Sequence, residues 1–119
     1  MRDFRKLAVW NKAHALAIGV YRATASFPKD EQYGVTSQLR RSASSVAANM
    51  AEGCGREGAA ELARFLNISM GSASELEYHI ELGRDLGFLD ERSYTRLSAS
   101  VTEVKRMLAA FIQKLKPDS

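Results

Sequence analysis

The sequence predicts an all-α protein, an antiparallel up-down-up-down bundle of four helices forming a single domain over residues 1–119. Two observations predict it. Apolar residues recur at steps of three and four through four long blocks, which is the period of one face of an α-helix. Only two prolines and eight glycines punctuate 119 residues, too few for the many turns of a β-sandwich. With 45% hydrophobic and 26% charged residues the composition is that of an ordinary globular protein. A chain of this length buries roughly two-thirds of its unfolded surface without needing a disulfide or a structural metal.

The first block runs from about Leu7 to Ser26, with Leu7, Trp10, Ala13, Ala17, Val20, Tyr21 and Thr24 on one half and Asn11, Lys12, Ala15, Gly19 and Arg22 on the other. Phe27-Pro28 ends it, because proline lacks a donor and pushes its predecessor out of the α region. The second block, about Glu31 to Gly55, has an apolar stripe of Val35, Leu39, Ala43, Val46, Met50 and Gly53, and Gly53, Gly55 and Gly58 close it. The third, about Ala59 to Leu86, places Leu62, Phe65/Leu66, Ser69, Ser72/Ala73, Leu76 and Ile80 in register, and Gly87 is its expected stop. Asp90 caps the fourth, where Tyr94, Leu97, Val101, Val104, Leu108, Phe111 and Leu115 follow the spacing of antiparallel bundle packing. Four helices of about 20 to 28 residues, each about 30 to 40 Å long and joined by short connections, imply the up-down-up-down arrangement.

The second block departs from a simple amphipathic design. Ser37, Ser44, Ala48, Ala51 and Gly55 form a narrow arc of small residues that lets another helix approach closely, either within the chain or from a second copy. Beside it lies a polar stripe of Gln38, Arg41, Ser45, Asn49, Glu52 and Arg56, in which Glu52 and Arg56 have favourable i,i+4 spacing. This stripe reads either as an exposed charged face or as a hydrogen-bond network at an interface, with Ser72 and Glu75 of the third block as partners.

Net charge is +3, unevenly spread: residues 1–60 carry nine basic and five acidic residues (+4), residues 61–119 eight and nine (−1). Arg40, Arg41 and Arg56, with Lys12 and Arg22 on the outer side of the first block, are therefore the candidate nucleic-acid-binding residues, arginine being suited to phosphate by its planar fork. No base-reading signature accompanies them, so the expected contact is to the backbone, and Arg40→Ala or Arg41→Ala is expected to weaken it for unrelated sequences alike.

Enzyme chemistry finds no support. Paired Glu-x-x-His motifs of a di-metal bundle are missing, and a mononuclear site from His14, Glu52, Glu75 and His79 stands second to satisfied core histidines. Cys54, the single cysteine, sits near a helix end whose dipole disfavours a thiolate, and reads as a structural thiol. The glycines at 53, 55 and 58 lack the spacing of a phosphate-cradling loop. No catalytic residue, metal or cofactor is expected. With one cysteine, no secretory leader pattern and no membrane-length apolar run, the expected location is cytoplasmic.

The run Ser37-Gln38-Leu39-Arg40-Arg41-Ser42-Ala43, continuing through Asn49-Met50-Ala51-Glu52-Gly53-Cys54-Gly55-Arg56, resembles the bacterial four-helix-bundle family of 23S rRNA intervening-sequence proteins. The likeness extends to Leu7-Ala8-Val9-Trp10-Asn11-Lys12-Ala13, Tyr21, Phe27-Pro28, Glu31, Tyr33-Gly34, Arg64-Phe65-Leu66 and Gly71-Ser72-Ala73-Ser74-Glu75-Leu76-Glu77. Cys54 stands where an aromatic is more usual and Ser69-Met70 where small residues are, departures that touch packing alone. The resemblance implies a left-handed bundle that assembles as a homo-oligomer, typically a pentamer. The family is in turn similar to the accessory variability protein of diversity-generating retroelements, which implies RNA or DNA as a partner, and a reverse transcriptase where one is encoded nearby. Two functions are thus expected: a non-catalytic, basic nucleic-acid-binding accessory module with little sequence specificity, or a protein-interaction scaffold whose arginines serve ion pairs.

Overall fold

Four helices carry the chain in the computed structural model, which describes residues 2–117: α1 (Ala8–Thr24), α2 (Val35–Cys54), α3 (Ala59–Asp85) and α4 (Glu91–Leu115). Single 3₁₀ turns lie at Phe4–Lys6 and Lys29–Glu31, and the described residues contain no strand. Contacts link α1 to α2, α2 to α3, α3 to α4 and α4 back to α1, with none across the diagonal. The bundle is therefore a closed square of 47 × 23 × 20 Å, with α1 and α4 forming one face and α2 and α3 the opposite one.

Leu39, Val46 and Met50 of α2, Leu66, Leu76 and Ile80 of α3, Val20 of α1, and Val101, Val104 and Leu108 of α4 are almost completely shielded at the centre. Their transfer from water, at about 1.5–3 kcal/mol per large side chain, is the main force holding the helices together. Polar groups cross each seam where they have partners. The Trp10 indole N–H donates to the Ala47 carbonyl at 3.2 Å between α1 and α2, the buried Ser69 hydroxyl to the Val46 carbonyl at 2.8 Å between α2 and α3, and the Tyr94 hydroxyl to Glu81 at 2.6 Å between α3 and α4. Lys12 and Glu103 pair at 3.3 Å across α1 and α4.

Three sequence expectations need correction. The first helix ends at Thr24, not Ser26; the Thr24 hydroxyl turns back to the Val20 carbonyl at 2.8 Å, and the chain leaves to bury Phe27 against Phe88. The second helix begins at Val35, not Glu31, because Pro28 leads into a 3₁₀ turn whose Glu31 carboxylate instead accepts the Val35 N–H at 3.3 Å. A Cβ at Gly34 would stand 2.7 Å from that carboxylate oxygen, so glycine is what admits this cap. Tyr21, expected on the core half of α1, is 46% exposed, while Leu16 turns inward. The Arg40 guanidinium lies over the Tyr21 ring at 4.8 Å and holds it at the α1/α2 edge.

The turn between α3 and α4 follows a Schellman pattern. Gly87 takes φ +80°, its N–H reaches the Arg84 carbonyl, and the Phe88 N–H reaches the Gly83 carbonyl, both at 2.9 Å. Asp90 then caps α4 by accepting the Ser93 N–H at 2.7 Å.

Candidate nucleic-acid interface

On the α2/α3 seam the polar stripe joins residues of both helices. Arg41 donates to Gln38 at 2.6 Å and to the Glu75 carboxylate, with which it forms an ion pair. One turn on, the Ser72 hydroxyl meets Ser45 at 3.1 Å, and Asn49 donates to the Ser45 hydroxyl at 3.0 Å and carbonyl at 2.8 Å. Glu52 and Arg56 pair at 2.9 Å near the end of α2. The stripe is thus a chain of local bonds that sets the register of two helices within one molecule. The small-residue arc lies outside it: Ser44, Ala48 and Gly55 are exposed, and Ser37 and Ala51 half-buried.

The five candidate cations fare differently. Arg40 is half-buried, its Nε donating to the Thr24 hydroxyl at 2.8 Å and its terminal nitrogen to the Tyr21 carbonyl at 3.3 Å. Arg41 and Arg56 are engaged by Glu75 and Glu52, and Lys12 by Glu103. Arg22 faces outward from α1 and forms no ion pair with a described residue.

Four further cations on α4 share that freedom. Arg92, Arg96, Arg106 and Lys114 are exposed and unpaired among the described residues, and they fall within an arc of about 80° on the helix. At 1.5 Å per residue they mark out a stripe about 33 Å long. Taken by helix pair, α1 and α4 carry seven basic and two acidic residues, a net +5 in which Lys105 is engaged by Glu77 of α3 at 2.9 Å, whereas α2 and α3 carry four basic and six acidic, a net −2. A groove of about 260 Å³ runs along the α1/α4 seam between Lys12, Gly19, Arg96, Ser100 and Glu103.

No group of three or more His, Cys, Asp or Glu residues gathers among the described residues in a way that could hold a metal ion. Cys54 is buried, and burial pushes its thiol pKa up, away from a reactive thiolate. No helix among the described residues is long and apolar enough to cross a membrane.

Residues 5–110 match the family of the 23S rRNA-intervening sequence protein, which covers all four helices up to the last turn of α4. The chain belongs to that family. The chain also shares its fold with a crystal structure of a protein with unknown function from the S23 ribosomal protein family of Bacteroides thetaiotaomicron VPI-5482. The two align with a TM-score of 0.80 and 24% identity over 89% of this chain and 99% of the other. No curated protein matches the sequence.

The unpaired cations on α4 are not among the candidates that charge along the chain singles out. The signal was present in the helical spacing of Arg92, Arg96, Arg106 and Lys114, but counting charge by halves of the chain merged them with the acids of α3.

Proposed function

We propose that this protein is a non-catalytic, self-associating bundle that binds the phosphate backbone of nucleic acid through its α1/α4 face with little sequence preference. The net +5 of that face carries the reading, because five of its cations, Arg22, Arg92, Arg96, Arg106 and Lys114, are not engaged by carboxylates of the described chain. A stripe of fixed positive charge attracts polyanions and releases their counterions, a force that ignores sequence. Self-association uses the exposed Ser44 and Ala48 of α2 and Gly55 just past its end, where a neighbouring helix meets little side-chain bulk. The family resemblance implies five copies, which turns a +3 protomer into a +15 particle and lets weak contacts act together.

Light scattering combined with fluorescence anisotropy tests both halves. The expected result is a species several times the 13.2 kDa protomer that binds unrelated RNA and DNA sequences alike. Its log affinity should fall with log salt by roughly 0.7–0.9 per phosphate contacted. The Arg41–Glu75 and Arg56–Glu52 pairs favour a second reading, a protein-interaction scaffold. An intact oligomer showing no association at low salt would establish the scaffold in place of the nucleic-acid module.

A further inference from the structure

Three rings form a column at the end of the bundle where α1 begins. Phe4 tilts against Trp10 with centroids 4.8 Å apart, and Trp10 stacks on His14 at 4.9 Å with only 9° between the planes. The indole is held by its bond to the Ala47 carbonyl. His14 is exposed, and neither of its ring nitrogens bonds a described residue, so stacking alone sets the imidazole's plane. Here both the ring and its edge remain available. Basic groups stand at the foot of the column: Arg5 lies over the Phe4 ring at 4.4 Å while pairing with Asp3 at 3.7 Å, Lys6 is exposed in the same 3₁₀ turn, and the Arg2 guanidinium lies over the Phe111 ring of α4. Farther along the same side of α1, Tyr21 lies under the guanidinium of Arg40.

We propose that the Trp10–His14 stack is a platform for an unpaired nucleobase, so that the nucleic acid this protein takes is single-stranded. The inference rests on the polyanion reading above and narrows it. Cations attract any phosphate backbone, but a preset flat pair of rings on the α2 side of the same helix α1 adds binding only for a base free to leave its own stack. Sequence tolerance is kept, since every base has a π-face.

Trp10 is the only tryptophan, so its fluorescence reports directly on the platform. Fluorescence titrations would use single strands of about 12 nucleotides, as RNA and as DNA, with a blunt duplex and an abasic strand of equal phosphate number as controls. Both intact strands are expected to quench Trp10 and to bind more tightly than the abasic strand and the duplex. His14→Ala should weaken intact-strand binding by about 5-fold or more while leaving the abasic strand unaffected, and His14→Tyr should restore it. Circular dichroism of each variant confirms the helices. If the abasic strand binds as tightly as the intact one with the same salt dependence, or His14→Ala weakens both equally, the platform is overturned while the electrostatic reading stands. Absence of binding by every strand overturns both.

Discussion

Gly53 of α2 packs tightly against α3: a methyl group there would stand 2.8 Å from the Cβ of Phe65 and 3.2 Å from Leu62. Neither neighbour can swing away, since the Phe65 contact is to the root of the side chain and Leu62 is buried. Gly53→Ala gains about 1 kcal/mol of helix propensity and still loses overall, because overpacking a core contact costs about 1–3 kcal/mol and here also spreads two helices. Urea denaturation should show net destabilisation of about 1 kcal/mol or more. The sequence marked Gly53 as part of the apolar stripe and of a helix stop; the reason for glycine at that place, the Phe65 and Leu62 side chains, appears only once α3 is laid against it.

At the scale of the helices, caps and seams divide the work. The Asp90 carboxyl is held below its ordinary range by hydrogen bonding from Ser93, the backbone N–H first. A folded-state pKa below the unfolded one means that the cap stabilises above the ordinary carboxylate pKa and is lost as pH falls through the folded value. Asp90→Ala should therefore lower the thermal midpoint at neutral pH, and the gap to the parent should close below roughly pH 4. The Arg41–Glu75 pair behaves otherwise. Its side chains are 52% and 36% exposed, so a double-mutant cycle by chemical denaturation should return a coupling below about 1 kcal/mol despite its place across two helices. Helix identities and the polar stripe were legible in the chain, because 3.6-residue periodicity is local. The start of α2 at Val35 was not, since Glu31 obeys a turn set by Pro28 and a cap admitted by Gly34.

For the whole molecule the decisive quantity is how charge is shared between faces. Arg96→Glu with Arg106→Glu takes the α1/α4 face from +5 to +1 and, if that face meets phosphate, flattens the salt slope by about 1.4–1.8, two contacts' worth. Arg41→Ala with Arg56→Ala, which frees Glu75 and Glu52 on the opposite side, should change the slope by less than half as much. Anisotropy titrations of the two double variants at several salt concentrations, with light scattering to confirm that the assembly state is unchanged, separate these outcomes.

The chain by itself determined the class and order of the elements. Apolar spacing, sparse proline and glycine, and the stops at Phe27-Pro28 and Gly87 depend on residues within a few turns of each other, so they can be read along the sequence. It also placed Arg41 and Glu75, Ser45 and Ser72, on stripes able to meet. Tertiary structure alone decided which cations stay free and which helices share a face. Closing the bundle brings α4, the last helix, against α1, the first, so the basic residues of both ends of the chain add together while the acids of α3 fall on the far side. Charge acts through space, and a count made along the chain cannot contain that sum.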